Sequence, residues 1–197
     1  MKQISKVVGL IACIALVGFG CARTSDLKTN EDPLTIDRSV ILLDARNQGL
    51  IMNEGEIEHM KDPAVLVPDS AKIESPAWES FQQTDFRTWK AAALADVTGG
   101  TSYGLVHILA EQNTFRLAAS FGNLGESVNG SSFRAWLVKR GDGMKRLDLG
   151  SLEKTESGMV LTYASKADLR EYDFFVVTLQ SEGSTAPGEH ILEGTIR

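Results

Sequence analysis

The sequence predicts an all-β fold, an antiparallel β-sandwich of about eight strands that follows a signal segment, a tether and a short helical or irregular region. From about Phe86 onward, apolar and polar residues alternate in short runs, and turn residues separate these runs at the spacing typical of a sandwich. Thirteen of the eighteen glycines fall from Gly99 onward, whereas four of the five prolines fall between Pro33 and Pro76. This change in composition indicates where the strand-rich region begins.

Residues 1–20 have the features of an export signal. A short head containing Lys2 and Lys6 precedes an uncharged run of fourteen residues, Val7 to Gly20. A membrane-spanning helix needs roughly 20 apolar residues, so this run is short for a span. Its length is typical of the apolar region of a secretory signal.

Small residues directly before Cys21 resemble the lipobox of bacterial lipoproteins, in which the cysteine is acylated and becomes the first residue of the mature chain. We therefore predict lipidation at Cys21, followed by a polar tether over residues 21–38. The match has two departures, because Gly18 stands where that family usually has leucine and Phe19 is bulky. Cleavage before Arg23, which would release a secreted protein, and an uncleaved anchor are the alternatives.

Charge and cysteine content narrow the expected partners. The chain carries a formal charge of −6, and loss of the leader removes only Lys2 and Lys6 from the positive side. An acidic surface disfavours nucleic acid and anionic lipid headgroups. The second cysteine, Cys13, lies inside the leader, so the mature chain has no partner for a disulfide. We expect membrane attachment through the N-terminal anchor, a possible protein partner at the membrane surface, and no binding to nucleic acid.

Residues 39–85 are predicted to be a helical or irregular connector. Asn53, followed three residues later by Glu56, has the pattern of a capping box and predicts a short helix ending near Met60. The stretch from Asp44 has the glycine and isoleucine of an EF-hand loop, but arginine and glutamine occupy two of its ligand positions. We therefore predict a helix end at Gly49, and expect neither a metal nor another cofactor.

Aromatic residues recur at near-helical spacing where the connector meets the strands. We predict that they pack against the sandwich, and the alternative is an exposed platform for a sugar or a partner. These residues are Trp78, Phe81, Phe86 and Trp89.

Residues 86–197 are predicted to form the sandwich domain. Strands are expected over residues 89–97, 102–110, 114–121, 133–139, 144–152, 158–164, 173–180 and 190–196. The run from Phe174 to Leu179 is continuously apolar or β-branched, so it predicts a central strand covered on both faces.

The tripeptide Arg140-Gly141-Asp142 matches the adhesion signal of integrin ligands. It lies between two predicted strands, and its glycine and aspartate suit a tight hairpin loop. We interpret it as a turn.

Several motifs of the predicted strands and turns belong to one recognisable set. They are Trp136-Leu137-Val138, Leu149-Gly150-Ser151-Leu152, Tyr172-Asp173, Val176-Val177-Thr178-Leu179, Pro187 and Leu192-Glu193-Gly194. Together they resemble the extracytoplasmic C-terminal domain of anti-sigma-K factors and its stand-alone bacterial relatives, over roughly Phe86 to Arg197. The resemblance implies a sandwich fold and a sensory or inhibitory role, and it supplies no catalytic residues. No sigma-binding module is expected, because only six residues precede the apolar run.

Candidate catalytic and metal-binding residues are few. The three histidines, His59, His107 and His190, are far apart and lack metal-ligand spacing. We expect His107 to be partly buried and hydrogen-bonded in a strand, and His190 to lie at a strand edge. The acidic cluster around His59, which contains Glu54, Glu56 and Glu58, is predicted to be a solvated helix face.

The sequence therefore predicts a non-enzymatic binding or sensory protein on the outer face of the bacterial cytoplasmic membrane. Its binding loops would be the glycine-rich segment 122–132 and the turn at Arg140. One alternative is a cell-envelope hydrolase with a paired carboxylate site, and another is a structural envelope protein that associates through its sheet edges. The ligand is not predicted.

Overall fold

The computed structural model describes residues 37–127 and 130–197. The predicted signal segment, Cys21 and the tether up to residue 36 lie outside this part of the chain. Among the described residues, no helix is long and apolar enough to cross a membrane.

Nine strands dominate the described chain, and three short helices precede them. The helices are α1 (Arg38–Asn47), α2 (Glu54–Lys61) and α3 (Trp78–Phe81), with 3₁₀ turns at Pro63–Val65 and Phe86–Thr88. The strands are β1 (Lys90–Asp96), β2 (Tyr103–Glu111), β3 (Thr114–Gly122), β4 (Ser131–Lys139), β5 (Lys145–Ser151), β6 (Glu153–Thr155), β7 (Gly158–Ser165), β8 (Phe174–Ser181) and β9 (Glu189–Thr195).

The strands confirm the predicted all-β, antiparallel fold. They form one sheet in the order β5-β4-β8-β9-β1-β2-β3-β7-β6, in which every neighbouring pair is antiparallel. All eight predicted strands are present. The ninth, β6, is a three-residue strand at the sheet edge, too short for alternation to reveal it.

The sheet folds over where β9 meets β1, so that its two halves face each other. We call β5, β4, β8 and β9 the first half, and β1, β2, β3, β7 and β6 the second half. Phe121 of the second half stacks against Phe175 of the first, with ring centroids 6.4 Å apart. Gly194 allows close approach at the fold, because a Cβ there would lie 2.4 Å from the Ala93 carbonyl oxygen. The core between the halves excludes water from the inner face of both.

Residues 37–89 form what we call the N-terminal segment, and its first part, residues 37–65, covers the outer face of the first half. Met52 and Met60 are fully buried and belong to the same apolar cluster as Trp136 and Phe174. The indole N–H of Trp136 donates to the Thr178 hydroxyl across 2.9 Å, so the buried ring nitrogen is satisfied. Strand β8 is therefore covered on both faces, as its continuous apolar run predicted.

Local signals correctly predicted α2 and the end of α1. Asn53 and Glu56 form the reciprocal capping box of α2, with both side-chain-to-backbone hydrogen bonds present. Helix α1 ends at Asn47, and Gly49 follows with a φ of +68°, the left-handed conformation that glycine tolerates at a helix end.

The chain between the 3₁₀ turn at Pro63–Val65 and α3 runs along the open side of the sandwich. Leu66 forms a bridge with Arg146 of β5, and Lys72 forms one with Ser165 of β7. Between them, the Tyr163 hydroxyl donates to Asp69 Oδ2 across 2.6 Å. Burial and the adjacent Asp69 carboxyl raise the pKa of Tyr163 far above its usual value, so the phenol remains a donor.

Three of the four aromatic residues before β1, namely Phe81, Phe86 and Trp89, pack on the sheet, as predicted, and Trp78 lies half-buried on α3. Phe81 is buried and makes an edge-to-face contact with Trp89, with centroids 6.0 Å apart. Phe86 contacts Trp89 in the same manner and stacks on His107 of β2 at 4.2 Å. This cluster covers part of the outer face of the second half.

The hairpin interpretation of Arg140-Gly141-Asp142 is confirmed. The tripeptide joins β4 to β5, and Gly141 has a φ of +85°. The Arg140 guanidinium donates to the Gly49 carbonyl oxygen at 2.7 Å and lies 4.2 Å from the centre of the Phe174 ring. Arg140 therefore connects the hairpin to the N-terminal segment.

Candidate functional site

A β-bulge in β9 places two ionisable side chains on the same face of the sheet. Val177 of β8 pairs with Leu192, but the next residue, Thr178, pairs with His190, so Ile191 is an extra residue. Without the bulge, alternation would point His190 toward the inter-sheet core, because Leu192 lies there. With it, His190 and Glu193 both lie on the outer face of the first half, beneath the N-terminal segment.

Glu193 is the buried acid of this site. Its side chain is 1 % exposed, and its Oε1 lies 2.5 Å from His190 Nδ1. Its Oε2 accepts the backbone N–H of Met52 at 2.6 Å. Both carboxylate oxygens are thus occupied, one by the sheet and one by the N-terminal segment, which satisfies a group that would be costly to bury alone.

A cavity of about 500 Å³ opens beside this pair. The N-terminal segment forms one wall, and the start of β9, the loop before it and Val97 directly after β1 form the other. The lining residues are Arg46, Ile51, Met52, Ile57, Lys61, Val97, Pro187, Gly188, Glu189, His190 and Glu193. Pockets for small molecules in proteins have volumes of about 300–1,000 Å³, so this cavity has the size of a small-molecule site.

Two of the lining side chains carry buried nitrogens without partners. His190 is 7 % exposed, and its Nε2 makes no hydrogen bond to any described residue. With Glu193 ionised, Nδ1 carries a hydrogen, which leaves Nε2 as the acceptor of a neutral ring or the donor of a charged one. Arg46 is half-buried, its Nε is also unpartnered, and the described residues supply its guanidinium with no acidic partner. Buried polar groups normally have partners, so these atoms indicate a ligand or water.

The charged side chains around the cavity differ in whether they have hydrogen-bond or ion-pair partners. Glu193 is fully paired, and Glu189 is exposed at the rim. Lys61 is shared with Glu58, whose carboxylate lies 3.0 Å away on the solvent side of α2. Among the described lining residues, the half-buried Arg46 guanidinium and the exposed Glu189 carboxylate are therefore the charged groups without a partner, and the rest of the wall is largely aliphatic.

A second cavity, of about 620 Å³, lies beside the glycine-rich segment predicted to present binding loops. Its described lining includes Asn123, Leu124 and Glu126 from that segment, and Phe133 and Met159 from the strands. Residues 128–129 lie outside the described chain. This cavity has no buried ionisable pair among its described lining residues, so the structure favours the site at His190.

The three histidines lie in different parts of the structure. His59 is exposed on α2, and Glu54 and Glu58 are exposed beside it, as a solvated face requires. His107 is partly buried as predicted, but the expected hydrogen bond is missing at Nδ1, which has no partner and instead lies in a ring stacked on Phe86. Burial lowers the pKa of His107.

The prediction that His190 lies at a strand edge is wrong. Strand β9 lies between β8 and β1, and the N-terminal segment covers its outer face. No local sequence pattern indicates the site, because Met52 and Glu193 are separated by 141 residues. The pair His190 and Glu193, three residues apart in a strand, shares a face only because of the bulge.

The arrangement can hold a small molecule between two parts of the chain. It presents an imidazole oriented by a carboxylate and an unpaired guanidinium against an aliphatic wall. Within the described chain, no group of three or more histidine, cysteine, aspartate or glutamate side chains is placed to hold a metal ion.

Comparisons with known proteins add no identity. No protein-family model matches the chain, and no curated protein matches it significantly.

Proposed function

We propose that this protein is a non-enzymatic binding or sensory domain, held at the outer face of the bacterial cytoplasmic membrane by a lipid on Cys21. Its ligand would occupy the cavity between the N-terminal segment and strand β9. A cell-envelope hydrolase remains the alternative function, since a carboxylate-oriented imidazole can also activate water.

The observation that carries the proposal is the buried pair of His190 and Glu193 beside a cavity of small-molecule size. Burial of such a pair costs desolvation free energy, and well-packed apolar residues often stabilise a fold as well or better. The pair also holds Met52 to the sheet, so its position beside the cavity, and not its burial alone, supports a binding role. The unpartnered His190 Nε2 supports a binding role, because a ligand would complete its hydrogen bonding.

The location of the cavity supports a sensory role. A bound ligand would contact Arg46 or Ile57 of the N-terminal segment and His190 of the sheet at the same time. It would stabilise the packing of that segment on the sandwich by mass action. The segment directly follows the predicted tether, so occupancy would alter the part of the domain next to the membrane anchor.

The motifs shared with the outer domain of anti-sigma-K factors support the same class of function. They lie in the strands of the first half, β4, β5, β8 and β9, and in the loops that directly follow β5 or precede β8 and β9. The expected partner is then a protein at the membrane surface that responds to the state of the N-terminal segment.

A thermal-shift screen of the full-length chain in mild detergent tests the binding function. The panel contains neutral sugars, amino acids, organic acids and amines. Val97→Phe places a larger side chain in the cavity wall, and Val40→Phe makes the same change on exposed α1. We expect at least one compound to raise the melting temperature of the native chain and of Val40→Phe, but not of Val97→Phe.

Two outcomes of this screen would contradict the proposal. No stabilising compound in any chemical class would argue against a small-molecule site. Stabilisation that persists in Val97→Phe would place the ligand elsewhere, for example beside Asn123.

Intact mass and N-terminal peptide analysis tests the location, after expression in a bacterial host with the native leader. A mature chain that begins at acylated Cys21 is the expected result. A chain that begins at unmodified Arg23 would make the protein secreted and would contradict the anchored sensor.

A further inference from the structure

We infer that the ligand of this cavity is a small organic anion, with a carboxylate head and a short aliphatic portion. The inference rests on the proposed binding function and specifies its ligand class. Arg46 would hold the carboxylate, and the wall formed by Ile51, Ile57 and Val97 would contact the aliphatic part.

Arg46 is half-buried on α1 and faces the cavity. Its guanidinium has no hydrogen-bond or acidic partner among the described residues. Other arginines near the N-terminal segment are engaged, because Arg140 bonds to Gly49 and Asp173, and Arg146 bonds to the carbonyl oxygens of Met60 and Asp62. A planar guanidinium left free in a cavity matches a carboxylate in two-point geometry.

The acids of the cavity do not occupy Arg46. Both oxygens of Glu193 are already bonded, to Met52 N–H and to His190 Nδ1. Glu189 is exposed, and Lys61 at the rim pairs with Glu58. Among the described lining residues, the exposed Glu189 carboxylate at the rim is the one acid left for a cationic ligand, which would also be repelled by Arg46 and Lys61. An anion would be attracted by both of these cations.

His190 supplies a second polar contact on the sheet side. Its ring is fixed by Glu193, and Nε2 is its unpartnered atom. When the ring is doubly protonated, Nε2–H donates to an anion, and the Glu193 carboxylate balances the ring charge. The aliphatic side chains around these groups favour a ligand that also carries a methylene chain.

The test uses three probes of matched shape: valerate, valeramide and pentylamine. Each is titrated into the full-length chain while the imidazole magnetic resonance signals are followed. His190 reports on the cavity, and His107 on the second half serves as an internal control. We expect only valerate to shift the His190 signals in a saturable manner.

Substitutions identify the group that holds the anion. We expect Arg46→Gln to weaken valerate binding by about 10- to 100-fold, the value of a hydrogen bond to a charged group. Arg46→Lys keeps the charge but loses the planar fork, so it should lose less. Arg116→Gln removes the same charge from an exposed site on β3 and should bind as the native chain does. The Arg46 side chain has no partner among the described residues, so Arg46→Gln should fold normally.

Each remaining outcome overturns the inference. Equal or tighter binding of valeramide or pentylamine would exclude an anion site and leave the binding function intact. Valerate binding unchanged by Arg46→Gln would remove Arg46 from the site. Absence of any His190 response to valerate would also overturn the anion class, while the wider thermal-shift screen judges the binding function separately.

Discussion

The two halves of the sandwich carry different layers on their outer faces. On the first half, Met52 and Met60 are fully buried, and Arg146 and Glu193 bond to the backbone of the N-terminal segment. On the second half, the layer around Phe86 is half-exposed, and Tyr103 and Leu105 of β2 remain 59 % and 43 % exposed.

This difference indicates that the first half depends more strongly than the second on the N-terminal segment for the cover of its outer face. On the first half, the outer layer combines buried apolar side chains with buried charged side chains. Loss of either kind of contact should release the N-terminal segment from the sheet. On the second half, the contacts are mainly aromatic packing, and loss of one should be tolerated. The candidate site lies on the first half, between the N-terminal segment and strand β9.

The largest expected effect comes from Glu193→Ala. It removes the acceptor of Met52 N–H and the partner of His190, which leaves two buried polar groups unsatisfied. Each buried polar group left without a partner costs about 1–3 kcal/mol, so the variant should lose several kcal/mol of unfolding free energy, on the order of the sum of two such groups. Urea denaturation of the native chain and of the variant measures this loss of unfolding free energy.

Glu193→Gln is the matched control for this change. Its amide oxygen can accept the Met52 N–H, and its amide N–H can donate to His190 Nδ1, so the loss should be clearly smaller. Equal loss in the two variants would mean that the hydrogen bonds contribute little and that packing dominates.

Truncation of an apolar side chain should lower the free energy of unfolding more on the outer face of the first half than on that of the second. Met60→Ala, on the fully buried layer, should lower the unfolding free energy by about 2–5 kcal/mol. Phe86→Ala, on the half-exposed layer, should lower it by about 1–2 kcal/mol because less apolar area is removed from contact. Similar losses for both variants would contradict the proposed difference between the layers.

The smallest expected effect is a dependence of stability on pH that arises from His107, on the second half. Burial lowers the pKa of His107, so the unfolded chain binds a proton more readily than the folded protein. The contribution of this group to stability is therefore complete above the ordinary histidine pKa of about 6.5 and declines as the pH falls below it. The denaturation midpoint of the native chain should fall further between about pH 7 and 5 than that of His107→Gln. Parallel profiles for the two proteins would show that His107 does not contribute.

The fold was largely predictable because its signals are local. Alternation gave eight strands, Asn53 and Glu56 gave α2, and the glycine and aspartate after Arg140 gave a hairpin. The insertion of β9 between β8 and β1 depends on contacts distant in sequence, so no local pattern reveals it.

The site was not predictable for a specific physical reason. Plain alternation groups His190 with Leu192 on the core face, and the extra residue Ile191 reverses that assignment. The other wall comes from Arg46 and Met52, which carry no motif of their own. Only the folded chain brings these residues together.

Hydrogen–deuterium exchange of the full-length chain, with and without saturating valerate, tests the central claim that a ligand bridges the N-terminal segment and β9. We predict slower exchange in residues 51–61 and 188–193, including the Met52 amide that bonds to Glu193. Exchange in residues 122–127, beside the second cavity, should stay unchanged. Protection confined to residues 122–127, or no protection in residues 51–61, would contradict the account.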